Sequence, residues 1–449
     1  MRLHRNLVFA VIDSLLSIFN DGEYADKEVA KALKRDPRWG AKDRKFVAET
    51  IYEIVRWKRL YTEIAETKDP FTRDDIWRTF AVWAVLRGIT LPDWKYFENT
   101  PVRRIKGKFD ELSKIRKYRE SIPDWMDELG VQELGEEVWT KELAAQNQQA
   151  KVVLRVNSLK TTKQQLRAQL MDLDIDTELS DTYPDALILK ERANVFMTPI
   201  FKEGFFEVQD ASSQKVVPLL DVKPGMRVVD ACAGAGGKTL HIAAKMENKG
   251  QIIALDLYES KQRQLKIRAK RNGAFNIEYR IIDSTKVIKK LHDKADRVLI
   301  DAPCSGLGVL KRNPDSKWKL QPEFIDNIKK TQQEVLENYS KMVKVGGKLV
   351  YATCSILPSE NEKQINHFLN TDFGKNFAAG CVDALFFTFD GTPFGMSGHY
   401  ISLLGRKISL QIILTYINSF CKPVYQRIKC SAMPVRTETT KRNPVRRRH

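Results

Sequence analysis

Several sequence features are scarce or missing in this chain of 449 residues, and each absence excludes a kind of binding site or a class of protein. None of its six cysteines precedes Cys232 and none forms a Cys-x-x-Cys pair, so neither a zinc site nor a disulfide scaffold is indicated. The longest apolar stretch, 408–420, is too short and too polar to span a membrane. Asp13 interrupts the apolar stretch near the start, and we expect no signal peptide. A cytoplasmic protein without a bound metal fits these absences.

Acidic residues are also in deficit. The chain has 57 Asp and Glu against 75 Lys and Arg, a formal net charge of +18. Lysine and arginine replace the counterions of phosphates, so this excess predicts a nucleic-acid partner. A lysine-rich surface that serves only solubility is the alternative.

The first part of the chain has the apolar spacing of helices. Leu7, Val11, Leu15 and Ile18 fall on one helical face, and 75–88 is a further strong helix candidate. We therefore predict an all-α bundle over 1–120 and a helical linker over 121–150. Alternating apolar residues then predict a strand at 151–157, followed by a helix at 162–173, within a small α+β module at 151–205.

From about residue 206 strands and helices alternate, which predicts right-handed βαβ units and a parallel sheet. This is an α/β fold, assigned here to 206–400, and 401–449 is interpreted as a basic tail. The predicted strands are 227–230, 251–256, 278–283, 297–301 and 348–353. The predicted helices include 238–246, 260–272 and 323–343.

A glycine-rich loop, 234–237, follows the first of these strands and opens a helix. Such a loop lets backbone N–H groups approach a nucleotide-like ligand. A nucleotide-triphosphate P-loop is one interpretation, but Cys232 stands where that motif needs glycine. An S-adenosylmethionine loop is the other, and it predicts an acid at the end of the next strand, where Asp256 lies. Asp283 is predicted to end the third strand; for both acids a helix-cap or turn role is the alternative.

Two cysteines stand in matching positions, each just after a buried strand. Cys304 follows 297–301 and Cys354 follows 348–353. A lone cysteine after a strand is usually inert. Two thiols at the carboxyl ends of neighbouring strands instead face one crevice. There, a thiolate that adds to carbon 6 of cytosine makes carbon 5 nucleophilic enough to accept a methyl group. Asp301 can stabilise charge on the ring.

These motifs resemble the signature blocks of the Sun/RsmB family of RNA cytosine-5 methyltransferases. The resemblance rests on 231–239, 301–308 and 351–355, with further similarity at 205–214, 311–315 and 358–362. It covers roughly 150–370. The bundle more loosely resembles the NusB-type RNA-binding domain of the 16S rRNA-modifying members, and the small module their RRM-like domain. The stretch after 400 matches nothing in the family.

The resemblance implies a Rossmann-like, S-adenosylmethionine-dependent methyltransferase. It makes Cys354 the nucleophile and Cys304 the group that assists product release, with Asp301 and Lys238 beside the substrate. The implied cofactor-binding residues are Cys232, Ala233, Gly234, Ala235, Gly236, Gly237, Lys238, Asp256, Asp283 and Asp301.

We accordingly expect a monomeric enzyme that forms 5-methylcytosine in RNA, most simply in 16S rRNA. A non-catalytic RNA-binding or ribosome-assembly factor on the same scaffold is the alternative. The target base must leave its stack to reach the thiols, so an accessible loop or a flipped nucleotide is expected.

Overall fold

The amphipathic N-terminal segments fold as a helical bundle in the computed structural model, which describes residues 2–379 and 400–406. Its helices are α1 (Arg5–Asn20), α2 (Ala25–Ala32), α3 (Ala41–Arg56), α4 (Lys58–Ala65), α5 (Arg73–Leu86), α6 (Val102–Leu112) and α7 (Arg116–Arg119). The predicted helix at 75–88 begins earlier because Thr72 caps it: the Asp75 N–H donates to the Thr72 hydroxyl at 3.2 Å. The apolar face predicted at Leu7, Val11 and Ile18 is buried in the bundle core.

Two further helices fill the predicted linker, α8 (Asp124–Leu134) and α9 (Glu136–Gln146). They are separated at Gly135, whose φ of 78° suits glycine. Their buried side chains, including Trp139, pack with Leu307 and Ile356 from the loops that follow the large sheet's strands. The linker helices therefore support the region in which the two cysteines lie.

The small module is a four-stranded antiparallel sheet with two helices. Its elements are β1 (Val153–Val156), α10 (Lys163–Met171), β2 (Thr177–Leu179), β3 (Ala186–Leu189), α11 (Pro199–Lys202) and β4 (Phe206–Val208). The strand order is β2-β3-β1-β4, the ferredoxin-like βαββαβ arrangement. The fourth strand lies beyond the boundary at 205 drawn from the sequence, because Phe206 pairs with Val156 and packs into the module's core.

The remaining described residues build a seven-stranded, parallel-rich sheet with helices on both faces. In chain order the elements are α12 (Ala211–Gln214), α13 (Val216–Leu220), β5 (Arg227–Asp230), α14 (Gly237–Lys245), β6 (Gln251–Asp256), α15 (Glu259–Asn272), β7 (Ile277–Ile281), α16 (Thr285–Lys289), β8 (Ala295–Asp301), α17 (Ser316–Lys319), α18 (Pro322–Tyr339), β9 (Val343–Thr353), α19 (Glu362–Asn370), β10 (Phe377–Ala379) and β11 (Tyr400–Arg406). The order is β10-β11-β9-β8-β5-β6-β7, with β9 through β7 parallel. The α/β Rossmann-like fold class is confirmed.

Two boundaries differ from the sequence-based prediction in ways that matter for the site. The helix predicted at 323–343 ends at Tyr339, and Val343 already begins β9, where it pairs with Ala295. The strand predicted at 278–283 ends at Ile281, the partner of Asp256 in the last ladder pair. Asp283 therefore lies in the loop beyond the strand.

The predicted basic tail also starts later than residue 401. Residues 400–406 form β11, which pairs antiparallel with β9 from Tyr400 opposite Thr353 to Gly405 opposite Lys348. The buried side chain of Leu404 belongs to one of the two cores that flank the sheet. The rest of the predicted tail, and Cys381, Cys421 and Cys430, lie outside the described residues.

Candidate active site

The two predicted cysteines meet at the carboxyl ends of β8 and β9. These strands are parallel neighbours, and Asp301 pairs with Ala352 just before the two loops begin. The Sγ atoms of Cys304 and Cys354 lie 3.2 Å apart, and the Cys354 N–H donates to the Cys304 sulfur at 3.3 Å. Both residues are half-buried and unlinked. The pairing of strands thus brings together two thiols that are 50 residues apart in sequence.

A buried carboxylate, Glu360, ties the two thiol loops together. It accepts from the Ser305 N–H at 2.8 Å and from the Ser355 hydroxyl at 2.6 Å. Gln332, on α18, donates to it at 3.0 Å. Glu360 is fully buried, and its partners are neutral donors: Ser305 and Ser355, each of which follows a cysteine by one residue, and Gln332. Its position fixes one loop against the other.

The Cys354 loop is held from two further sides. Thr353 donates its hydroxyl to the Asn361 side chain at 2.6 Å, and Asn361 donates back to the Ser355 carbonyl at 3.0 Å. The Gly308 N–H donates to the carbonyl of Cys354 itself at 2.9 Å. The sequence analysis identifies 358–362 only as a motif, and the folded structure shows that Glu360 within it holds both thiol loops.

Cys304 lies in a buried and negatively charged environment. The hydrogen bond with Cys354, burial and the negative charge of Glu360 together raise the pKa of Cys304 well above its ordinary value. The carbonyl side of its loop is fixed by Gln332, which donates to the Pro303 oxygen at 2.9 Å.

Lys238 and Asp301 form an ion pair next to the thiols. The lysine Nζ lies 2.6 Å from the aspartate Oδ2, and Lys238 is on the first turn of α14 while Asp301 ends β8. The lysine side chain is 10% exposed and that of the aspartate 31%, so the pair borders the crevice. The structure therefore places all four predicted catalytic residues at one edge of the sheet.

The glycine loop joins β5 to α14 beside this pair. Gly234 has φ of 53° and a Cβ there would meet nothing within 4 Å, so there is open space against its backbone. At Gly236, with φ of 86°, a Cβ would lie 1.9 Å from the Leu265 side chain. The loop is therefore closely packed at Gly236 and open at Gly234, and the open side leaves room for a bound nucleoside.

Asp256 holds the glycine loop from the next strand. One carboxylate oxygen accepts from the Gly234 N–H at 2.8 Å and the other from the Tyr258 N–H at 2.8 Å. Each oxygen keeps a second lone pair for a ligand hydroxyl. Asp283 is less well placed to contact a ligand at this loop. It is exposed and lies two residues past β7. Three strand spacings, about 14 Å, separate β7 from β8.

Asp230 is a buried acid under the same loop that the sequence analysis did not assign. It ends β5 and accepts from the Thr239 hydroxyl at 2.7 Å. Burial raises its pKa to about 7. Burial likewise raises the pKa of Cys232 well above its ordinary value, so that third thiol is no nucleophile at neutral pH.

The P-loop interpretation does not fit this geometry. Thr239, which would hold a magnesium ion, donates its hydroxyl to Asp230, and Lys238, which would bind phosphate, pairs with Asp301. Among residues 2–379 and 400–406 no cluster of His, Cys, Asp and Glu is arranged to hold a metal. No helix in that described part is long and apolar enough to cross a membrane.

Comparison with known proteins identifies the family of the chain. The family model of the 16S rRNA methyltransferase RsmB/F matches residues 217–379, and the model of that family's ferredoxin-like domain matches 122–196. A probable ribosomal RNA small subunit methyltransferase B of Synechocystis sp. is 32% identical over 398 residues, 81% of this chain and 88% of the relative. The chain belongs to the RsmB/F family.

Two more relatives of this RsmB/F chain show how far the likeness extends. The ribosomal RNA small subunit methyltransferase B of Enterobacter sp. is 36% identical over 287 residues, 63% of this chain and 66% of the relative. The crystal structure of PH0851 superposes with a TM-score of 0.74 at 26% identity, covering 90% of this chain and 99% of that one. The ferredoxin-like match begins at 122, so it includes the helices α8 and α9 that were assigned to a linker.

Proposed function

We propose that this protein transfers a methyl group from S-adenosylmethionine to carbon 5 of a cytosine in ribosomal RNA of the small subunit, through a covalent bond to Cys354. The observation that carries the proposal is the 3.2 Å approach of the Cys304 and Cys354 sulfurs at the carboxyl edge of a Rossmann-like sheet. Membership of the RsmB/F family supports rRNA as the substrate. The proposal of cytosine carbon 5 comes from the chemistry of paired thiols.

The residues around the glycine loop fit the methyl donor. The backbone of 232–238 would face it, Asp256 would accept from its ribose hydroxyls, and Asp301 with Lys238 would lie at its methionine end. Asp283 is the weakest member of the predicted set because of its distance from β8. When bound, S-adenosylmethionine supplies an electrophilic methyl group.

The protein side chains then divide the remaining work. The Cys354 thiolate forms a bond to carbon 6 of the cytosine, and the electron pair of the 5,6 double bond becomes available at carbon 5 for methylation. Loss of the proton from carbon 5 restores the double bond and breaks the carbon–sulfur bond, so the electron pair returns to Cys354. Asp301 beside Lys238 is placed to hydrogen-bond the ring as its charge changes.

Cys304 suits the second half of this reaction better than the first. The resemblance to the family assigns the attack to Cys354. Once Cys354 is bonded to the base, the Cys304 thiol lies next to the carbon–sulfur bond that must break. A water molecule takes the carbon 5 proton, and the Cys304 thiol hydrogen-bonds the Cys354 sulfur as that sulfur leaves.

The two roles are tested by trapping the covalent complex. Each variant is incubated with small-subunit rRNA and methyl-labelled donor and run on a denaturing gel. Cys304→Ala is expected to accumulate a labelled protein–RNA adduct, whereas Cys354→Ala and the double variant form none. Equal loss of adduct in both single variants contradicts the assignment. Binding of RNA by the wild type without any methyl transfer would favour a non-catalytic binding factor.

A further inference from the structure

Two charged residues lie at the centre of the small module's sheet, on the face that its own helices do not cover. Leu154 and Val156 on β1 point into the core that the sheet shares with those helices. Arg155, between them, therefore projects from the opposite face, as does its cross-strand partner Glu207 on β4. The exposed fractions of Arg155 and Glu207 are 2% and 3%. Charged groups are costly to bury, so their partners indicate what they are for.

Arg155 reaches the backbone of the glycine loop. Its guanidinium group donates to the carbonyl oxygen of Gly237, the first residue of α14, and to the side-chain oxygen of Gln209, both at 2.5 Å. Gln209 is itself held, because its amide group donates to the Ser213 hydroxyl at 3.1 Å. Burial lowers the pKa of Arg155 to about 10, so the group keeps its charge at neutral pH.

A second guanidinium group holds the other side of the same loop. Arg268, on α15, donates to the Ala235 carbonyl at 2.7 Å and to the Glu207 carboxylate at 2.9 Å. The two carbonyls that accept from arginines, those of Ala235 and Gly237, flank Gly236, the closely packed position of the loop. The loop is therefore fixed on both sides of Gly236, and both fixing groups are connected to the small module.

The small module also holds the helix that follows the loop. The carboxylate of Asp185, just before β3, lies 3.0 Å from the His241 Nε2 and 2.8 Å from the Lys245 Nζ. These two residues are one turn apart on α14, and His241 is one turn after Gly237. The module thus contacts α14 at its first residue and at two later turns.

This arrangement leaves the ligand side of the loop open. The peptide group between Gly237 and Lys238 lies in the first turn of α14, where N–H groups have no carbonyl partner within the helix. A charged donor on the carbonyl of a peptide group polarises that group and makes its N–H a stronger donor. Arg155 therefore both fixes this peptide group and strengthens the N–H that it offers to a ligand.

We propose that Arg155 and Arg268 are positioning residues for the methyl donor: they hold the carbonyls on either side of Gly236, so that the loop already has its donor-binding shape when S-adenosylmethionine arrives. The inference rests on the proposed function and extends it, because it makes the small module a part of the donor site. Neither arginine needs to touch the donor. Arginines that only joined two domains would contribute to stability and not to donor affinity.

The test measures donor binding by the full-length protein without RNA. Equilibrium dialysis against tritium-labelled S-adenosylmethionine is carried out well below the melting temperature of each variant. Arg155→Met removes the guanidinium group and is expected to weaken donor binding about tenfold. Arg155→Lys keeps the charge but loses the planar fork, and its affinity should lie between the two. Arg167→Met, exposed on α10 of the same module, is the control and should bind as the wild type does.

Methyl-transfer kinetics separate positioning from a general loss of structure. Arg155→Met should raise the KM for the donor, while kcat at saturating donor and the KM for RNA stay at their wild-type values. The inference is wrong if Arg155→Met lowers the melting temperature but binds the donor as the wild type does. It is also wrong if the KM values for donor and RNA rise by the same factor, because the arginine then supports the domain junction as a whole.

Arg268→Met gives a second test that does not depend on how well Arg155→Met folds. The Arg268 side chain is 25% exposed, and its loss should weaken donor binding about fivefold. Exposed Arg263→Met, on the same helix, is its control. Unchanged donor binding by Arg268→Met overturns the inference and leaves the methyltransferase proposal standing. A wild type that binds the donor but methylates no RNA contradicts the proposed function alone, and one that binds no donor contradicts both.

Discussion

The thiol site and the first turns of α3 place charged side chains in opposite environments. At the thiol site one carboxylate, Glu360, is completely buried and satisfied by neutral donors, whereas Lys42 and Lys45 on α3 are exposed to solvent. A buried charge is costly to leave unpaired, but an exposed one contributes tenths of a kcal/mol to stability and is screened by salt. The comparison shows that the buried charge that fixes the thiol loops and the exposed charges of α3 can be changed separately.

The largest effect on stability is expected from removal of the buried carboxylate of Glu360. Glu360→Leu leaves the Ser305 N–H, the Ser355 hydroxyl and the Gln332 amide without their partner, so we expect the free energy of unfolding to fall by about 5 kcal/mol. Glu360→Gln keeps part of the network and should cost about half as much. Denaturant unfolding measures both.

Glu334 provides the control for Glu360. It is exposed on the same helix as Gln332, so Glu334→Leu should change stability by less than about 0.5 kcal/mol. A small effect of Glu360→Leu would show that the loops keep their positions without the carboxylate. Methyl transfer by Glu360→Gln, measured as kcat and KM, is expected to lose kcat because the sulfurs are no longer held at their separation.

Asp230 is a second buried acid, and its burial should make the free energy of unfolding depend on pH. Its pKa of about 7 lies above the ordinary value of 3.8, so between these values the folded protein holds a proton that the unfolded chain has lost. The resulting stabilisation is complete below pH 4 and is lost as the pH rises through 7, by about 4 kcal/mol at most. Asp230→Asn removes this dependence.

The measurement is the unfolding free energy of wild type minus that of Asp230→Asn at pH 4, 5.5 and 7.5. We expect the difference to decline steadily with pH. Asp283→Asn removes an exposed carboxylate of the same domain and is the control. A difference for Asp230→Asn that is flat with pH, or that rises, contradicts the buried, protonated acid.

Lys317, on α17, joins the large domain to the helical bundle and to the residue that follows α9. Its Nζ is buried and donates to the carbonyls of Arg56, Glu120 and Ser121, and to the Asn147 side chain at 2.7 Å. Lys317→Met should lower the free energy of unfolding by about 3 kcal/mol because these acceptors lose their donor. Lys34→Met is the exposed control. Equal melting temperatures for the two variants would show that the junction does not depend on this lysine.

The exposed lysines of α3 should give the smallest stability effect. Lys42→Ala/Lys45→Ala is expected to change the free energy of unfolding by less than about 0.5 kcal/mol, because exposed charges contribute little to stability. Denaturant unfolding at low salt checks this. A loss of several kcal/mol would mean that the two lysines stabilise the fold and would remove the contrast with Glu360.

The parts of the site that follow strand ends were predictable from sequence. Cys304 and Cys354 end similar apolar runs, and neighbouring parallel strands must bring such ends together. Asp283 was misplaced by two residues because periodicity does not say where a ladder stops; the pairing of Asp256 with Ile281 decides that. The strand at 400–406 was missed because its polar and glycine residues are compensated by pairing with β9.

The supporting groups were beyond sequence reasoning for a different reason. Lys317 contacts residues nearly 200 or more positions earlier in the chain, and nothing in its local sequence distinguishes it from a solvated lysine. Glu360 lies in a recognised motif, but only the folded structure shows that it links serines from two loops. Long-range burial of a charge is a tertiary property, whereas strand ends and glycine turns are local ones.

The position of β11 in the sheet has a consequence for synthesis of the protein. The strand that carries Cys354 at its end is complete at residue 353, but its outer edge is covered only by 400–406. At translation rates of about 5–20 residues per second, roughly 50 residues take about 3–10 seconds to follow. During that interval the nascent chain exposes unpaired N–H and C=O groups beside Cys354, an edge open to pairing with other chains.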